Sequence, residues 1–299
     1  KTAYEIVSRD WSSDVCSSDL LVGVGLLGGS LGLALKRRKL AGRVEGYVRR
    51  DASIAECERL GVVDRATTDL LAAVQNADLV VFCTPIAQMP ALAEACFPAL
   101  KAGALVTDVG SVKGVVVAAL EPLIAKAGAQ FIGSHPMAGA EKTGPAAARA
   151  DLFEKAVCVV TPGTKTPAKL VRLMEEFWSA LGSRTLRLPP DQHDSLVARS
   201  SHLPHVLAAE LANYVLSPAH PKEQPALCAT GFRDTTRIAS GSPEMWRDIA
   251  LANHKHLARA LGVVIEDLQE FQRALEAGDA KAMDEFFTTA KHRRDQWVG

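Results

Sequence analysis

The chain has 299 residues, 48% hydrophobic and 23% charged, with 34 basic and 34 acidic side chains that cancel at neutral pH. That length suits two domains and that composition an ordinary globular protein, while the balanced charge excludes a global field for nucleic acid or anionic membrane. No apolar run reaches the roughly 18 residues of a membrane span, and the first residues lack the basic and apolar regions of a signal peptide.

Residues 1–19 differ in character from the rest of the chain. DWSSDVCSSD is polar and rich in Ser and Asp, and Leu20-Leu21-Val22 alone separate it from Gly23. The run resembles a translated sequencing adapter. It is expected to be non-native, standing where the start of the first strand belongs, and carries no functional expectation. From 20 to 188, short apolar runs at 21–24, 44–48, 79–83, 105–109, 131–133 and 157–160 alternate with helical patterns. Such runs suit strands buried on both faces of a mainly parallel sheet, and their alternation with helices predicts a doubly wound, Rossmann-like α/β domain.

The first run leads into VGVGLLGGSLG. Gly23-x-Gly25-x-x-Gly28 follows a strand and opens a helix, the context of a dinucleotide fingerprint. Gly23 permits the tight turn, Gly25 lets the backbone approach a pyrophosphate, and Gly28 lets helix and strand pack closely. The helix start, at Leu26 and Leu27, offers free N–H groups and the positive end of the dipole. Lys36-Arg37-Arg38-Lys39 suits a solvated helix end. For NAD the second strand should end in a carboxylate. Here Val48 is followed by Arg49 and Arg50, which could pair with a 2′-phosphate. NADP is therefore expected over NAD, the alternative being that both arginines are solvated loop charges and both cofactors bind. Thr84 and Pro85, after the strand 79–83, complete the expected cofactor residues.

TDVGSVKG (107–114) ends the next strand with a Gly-Ser turn at the edge where open α/β sheets bind ligands. Lys113 in it could neutralise phosphate or cap its helix. GSHPMAGAEKTG (133–144) places His135 just after a further strand on the same edge. Beyond Leu188-Pro189-Pro190 the strands stop, and 189–299 reads as a helical domain. SSHLPH sets His202 and His205 three apart at a helix start. Without a Cys or carboxylate set they make a weak metal pair, and no metal site is expected. GFRDTTRIASGSPEMWRDI gathers Arg233, Asp234, Arg237 and Trp246. Ser242-Pro243 then opens an apolar period from Met245 to Leu275, about 35 residues or roughly 52 Å of helix, with Gly262 as a possible bend. So long an amphipathic stripe predicts pairing with a second copy, a homodimer through the helical domain. The six cysteines (Cys16, Cys57, Cys83, Cys96, Cys158, Cys228) show no CxxC pair and suit reduced thiols in a cytoplasm.

Jointly, VGVGLLGGSLGLAL, DVGSVKG, SHPMAGAEKTG, HDSLVARSSHLPH and GFRDTTRIASGSPEMWRDI resemble the prephenate/arogenate dehydrogenase family of tyrosine biosynthesis, over nearly everything after residue 20. The resemblance implies an NAD(P)-dependent oxidative decarboxylation, taking prephenate to 4-hydroxyphenylpyruvate or arogenate to tyrosine. It implies that His135 accepts the proton of the ring hydroxyl, with Ser111 hydrogen-bonding the same group. Arg237 would bind the ring carboxylate, His205 and Trp246 would line the pocket, and Glu141 would stand near its mouth. Many relatives carry Thr before that Glu, where this chain has Ala140.

Other readings stand beside these. His135 could cap a strand-end turn, Trp246 could be core, and Arg233 could simply pair with Asp234. His202 fits a packing role, and His254 and His256 point to different helix faces. A dinucleotide-binding regulator that turns nothing over is the alternative of another class, although it would not need His135, Ser111 and Arg237 together. A β-hydroxyacid dehydrogenase would share the layout but relies on a lysine in its helical domain, where this chain has SSHLPH and GFRDTTRIA.

Overall fold

The apolar runs of the first half fold into two sheets rather than one. A computed structural model describes residues 18–140 and 142–298. The first sheet holds β1 (Ser18–Val22), β2 (Arg43–Tyr47), β3 (Arg65–Thr67), β4 (Leu79–Phe82), β5 (Leu105–Asp108) and β6 (Gln130–Phe131), all parallel, in the order β3-β2-β1-β4-β5-β6. Helices α1 (Leu26–Arg37), α2 (Ala52–Arg59), α3 (Leu70–Val74), α4 (Met89–Cys96) and α5 (Gly114–Lys126) connect them. Alternate residues along a strand face opposite ways, so each central strand feeds two cores. Leu21, Leu79 and Val81 pack with Leu31 and Leu35 of α1, whereas Leu20, Val22, Val80 and Phe82 pack with Met89 of α4 and Leu120 of α5. That double burial is why these strands read as continuous apolar runs.

The second sheet holds β7 (Gly133–Pro136), β8 (Val157–Thr161) and β9 (Arg184–Arg187) in that order, β7 antiparallel to β8 and β8 parallel to β9. Helix α6 (Ala168–Ala180) joins β8 to β9 and adds Leu170, Met174, Phe177 and Trp178 to the core shared with Cys158 and Val160. The strand expected at 131–133 therefore divides. Ile132 separates β6 from β7, and His135 lies within β7, not after a strand. Two strands carry no apolar run to announce them: β3 (RAT) and β9 (RTLR). Strand β1 begins at Ser18, two residues inside the stretch expected to be non-native, with Ser18 opposite Arg43 and Asp19 opposite Val44.

After β9 the chain is helical. Helix α7 (Pro190–Val197) runs through a π-helical turn (Ala198–His202) into α8 (Leu203–Val215), followed by α9 (Thr230–Thr236), α10 (Pro243–Ala252), α11 (His254–Glu276) and α12 (Ala280–Val298). Ser242 caps α10 as expected, its Oγ accepting from Met245 N at 3.3 Å. The long helix expected across 243–278 is instead broken at Asn253, while α11 continues through Gly262. Asn253 turns its amide inward, Nδ2 donating to Asp194 O at 2.9 Å and lying 3.1 Å from His202 Nδ1. A tertiary bond thus ends a helix whose apolar period carries on. No helix among the described residues is long and apolar enough to cross a membrane.

Candidate active site

Because the strands of the first sheet are parallel and in register, Val22 opposite Phe82 and Phe82 opposite Asp108, the turns at their carboxyl ends share one edge. The strand order reverses between β1 and β4, and the crevice at such a switch point is where doubly wound sheets bind ligands. Gly23 occupies this crevice with φ +99, its N–H donating to Tyr47 O at 3.0 Å. A Cβ on Gly28 would stand 2.1 Å from Gly23 O, so helix and turn meet as closely as the sequence pattern requires. A Cβ on Gly25 would meet nothing within 4 Å. The backbone there is bare and faces open space, and α1 starts at Leu26 and Leu27 with no side-chain cap. Across the crevice, Thr84 Oγ1 is buried without a hydrogen-bond partner among the described residues, beside Pro85. An open cradle, an uncapped helix start and an orphaned hydroxyl fit the phosphates and ribose of a dinucleotide. Arg49 and Arg50 are exposed beyond β2 and form no ion pair among the described residues. The first carboxylate after them, Asp51, accepts from Thr68 Oγ1 at 2.8 Å.

Strand β7 is fastened beside the end of β5 by side chains. Ser134 Oγ donates to Asp108 O at 2.6 Å, Ser134 N donates to Asp108 Oδ1 at 3.3 Å, and Thr107 and Ser134 hydroxyls lie 3.0 Å apart. Lys113 makes no side-chain cap hydrogen bond to its helix. It is fully buried, pairs with Asp108 and donates to Ser134 O at 2.8 Å. Burial pushes its ammonium down from the usual lysine range, with Asp108 opposing. This strut fixes the strand that carries His135.

His135 is buried, and its Nδ1 lies 2.8 Å from His193 Nε2. His193 Nδ1 lies 2.7 Å from Asp194 Oδ1, and the two Asp194 oxygens accept the main-chain N–H groups of Lys113 and Gly114 at 2.7 Å each. Burial, then the neighbouring His193, Lys113 and His202, hold the His135 imidazole well below its usual 6.5. It is a neutral base at physiological pH. The sequence reading missed His193 and Asp194, although both stand in HDSLVARSSHLPH as an adjacent polar pair. It also missed Asn253, which ties them to α11.

The helical half closes over this edge. Ile249 and Trp246 of α10 pack with Ile86 and Met89, just beyond Pro85. His205 stacks on Trp246, ring centroids 3.6 Å apart, and its Nδ1 lies 2.9 Å from Ser201 O. Trp246 thus packs against the core, as one of its two readings expects. His202 is buried and pushed down to about 4 by that burial, and its Nε2 has no hydrogen-bond partner among the described residues. Arg237 is exposed at the head of a 3-10 turn (Arg237–Ser240), and Gly241, which ends that turn, lies against the Trp246 indole. Ser111 is half-buried in the turn between β5 and α5. Glu141 lies outside the described residues. Among those residues no group of three or more His, Cys, Asp or Glu could hold a metal.

Comparison with known proteins agrees in both halves. Residues 31–187 match the family model described as the nucleotide-binding domain of prephenate dehydrogenase, and residues 189–291 match its dimerization domain. The prephenate dehydrogenase of Bacillus subtilis is 35% identical over 282 residues, 92% of this chain and 75% of the relative. Among solved structures, prephenate dehydrogenase from A. aeolicus in complex with hydroxyphenyl propionate and NAD+ superposes with a TM-score of 0.89 at 31% identity, covering 95% of this chain and 99% of the other. Synechocystis arogenate dehydrogenase gives 0.79 at 29% identity, covering 94% and 99%.

Proposed function

The chain belongs to the prephenate dehydrogenase family and is an oxidoreductase that uses a nicotinamide dinucleotide, and we propose that it oxidises and decarboxylates prephenate with His135 as the proton acceptor. The observation that carries the residue assignment is a buried imidazole, held well below its usual range, on the strand fastened beside the carboxyl end of β5, where the turns of the first sheet share one edge.

When bound, the nicotinamide supplies the hydride acceptor. Gly23, Gly25, Leu26, Leu27, Gly28, Thr84 and Pro85 hold the dinucleotide, and Arg49 and Arg50 favour NADP over NAD. His135 takes the proton of the ring hydroxyl as hydride leaves the same carbon, giving a ring ketone. The bond from the ring to its carboxylate then breaks, carbon dioxide departs, and the electron pair enters the ring, which becomes aromatic. His135 returns its proton to the phenolic oxygen. Ser111 hydrogen-bonds the hydroxyl, and the Arg237 guanidinium fork matches the planar carboxylate as Lys could not. His205 and Trp246 wall the ring from the helical side. A positioned acid–base group of this kind contributes typically about 10²–10⁴-fold. The helical domain pairs with a second copy, as the dimerization-domain match supports. Five free cysteines among the described residues support a reducing, cytoplasmic setting.

The test is an assay of reduced-nicotinamide formation crossing prephenate and arogenate with NAD and NADP, on wild type and His135→Asn. Prephenate with NADP is expected to give the highest kcat/KM. His135→Asn is expected to lower kcat by about 10²-fold or more with KM nearly unchanged, the pattern of an interaction made in the transition state. A wild-type kcat in that variant removes His135 from the role, and an arogenate preference changes the substrate.

A further inference from the structure

We infer that His193 is a positioning residue that fixes which nitrogen of His135 is free to take a proton; the inference rests on His135 being the base. The direction of the hydrogen bonds is set from one end. Main-chain N–H groups can only donate, and those of Lys113 and Gly114 reach Asp194 Oδ1 and Oδ2 at the start of α5. A carboxylate can only accept, so His193 Nδ1, 2.7 Å from Oδ1, carries a proton. Where His193 holds a single ring proton, that proton is the one on Nδ1 and its Nε2 is an acceptor. His135 Nδ1, 2.8 Å away, must then donate to it, and His135 Nε2 is bare.

One chain of bonds running from the helix start to Asp194, His193 and His135 therefore selects the tautomer of the base. It also serves the proton transfer itself. Once His135 Nε2 holds the substrate proton, its Nδ1–H still has an acceptor, with the Asp194 carboxylate behind it to balance the imidazolium. A carboxylate orienting a catalytic imidazole works the same way in hydrolases, where the wrong tautomer costs about 10⁴ in kcat. Here a second imidazole stands between carboxylate and base. The charged and titratable groups near His135 are His193 on α7, His202 on the π-helical turn, Lys113 and Asp108 at the β5 edge, and Cys158 on β8. Among the described residues His193 alone is hydrogen-bonded to the His135 ring.

Two substitutions separate polarity from packing. His193→Phe keeps a ring but offers no acceptor. His193→Gln can set an amide oxygen where Nε2 stood and so restore one. With saturating dinucleotide, His193→Phe is expected to lower kcat by about 10²-fold or more with substrate KM within about threefold, and His193→Gln to recover at least about tenfold of that loss. Independently of turnover, nitrogen-15 spectra of the labelled wild-type protein are expected to show His135 protonated on Nδ1, giving way to a mixture of tautomers in His193→Phe. Equal loss in both variants, wild-type kcat in His193→Phe, or a wild-type His135 protonated on Nε2 overturns the proposal. Should His193→Phe not fold, the wild-type spectrum and His193→Gln still decide it. His135→Asn keeps the two readings apart: an active His135→Asn removes the base, whereas an inactive one beside an active His193→Phe removes only the positioning role.

Discussion

Burial sets the working range of His135. Desolvation disfavours the imidazolium, and His193, Lys113 and His202 add to the shift, so the ring is held well below 6.5. A base of that kind stays unprotonated through neutrality, at the expense of some proton affinity. Its form in the free enzyme governs kcat/KM. The acid limb of kcat/KM is therefore expected below pH 6.5, with a flat profile from 6.5 to 8. A limb at or above 6.5 in buffers of constant ionic strength would contradict this assignment of the base. The roles proposed for Arg237 and Arg50 are in binding instead. Arg237→Gln removes charge-assisted bonds worth about 1.5–3 kcal/mol, so substrate KM should rise roughly 10- to 100-fold with a smaller change in kcat. An unchanged KM places the carboxylate elsewhere. Arg50→Ser should raise KM for NADP and leave KM for NAD within about twofold, because only the former carries a 2′-phosphate for the guanidinium to meet. Equal effects on both would return Arg50 to a solvated loop charge.

At the scale of elements, the join between the sheet edge and the helices depends on Asn253. Its amide satisfies Asp194 O and lies against His202 Nδ1, both buried. Asn253→Ala strands these groups at about 1–3 kcal/mol, a loss that thermal unfolding would reveal as a lower Tm. A Tm within a degree of wild type would show that water replaces the amide at no cost. The same bond explains what the sequence concealed. Apolar residues keep their helical phase from Ile249 through Leu257 to Leu275, so nothing local marks a break. Its cause is Asp194, 59 residues away. Likewise the pair His193 and Asp194 is visible as letters, but its meaning depends on His135, 58 residues back, on a strand the apolar pattern placed too early. Strands β3 and β9 are short and polar, held by pairing with β2 and β8 rather than by their own burial, and so left no trace. By contrast β1, β4 and β5, buried on both faces, were legible in outline, as was the glycine turn, whose requirements are those of backbone alone.

The whole molecule carries its buried histidines as a liability in acid. His202 falls from 6.5 to about 4 by burial, and His135 and His205 are also lowered. Between those values the unfolded chain binds more protons than the folded one, so stability is flat above about pH 6.5 and declines as pH falls toward 4. His202 alone accounts for up to about 3 kcal/mol of that decline. A second copy bears on stability as well. Leu268 is 51% exposed, Phe287 60% and Trp297 80%, and Val263, Ile265 and Leu275 are exposed with them on α11 and α12. A free chain gains nothing from so much apolar surface, and the match of residues 189–291 to a dimerization domain supplies the occupant. Each Leu or Phe buried between copies is worth about 1.5–3 kcal/mol and occurs twice across a twofold axis, so Leu268→Glu with Phe287→Glu should raise the dimer Kd by about 10⁴-fold or more. Light scattering on wild type should give about twice the 31.9 kDa of one chain, and on the double variant a single chain with unchanged far-ultraviolet circular dichroism. A double variant that stays dimeric would move the interface off this face, because four buried carboxylates facing one another without partners could not be borne there.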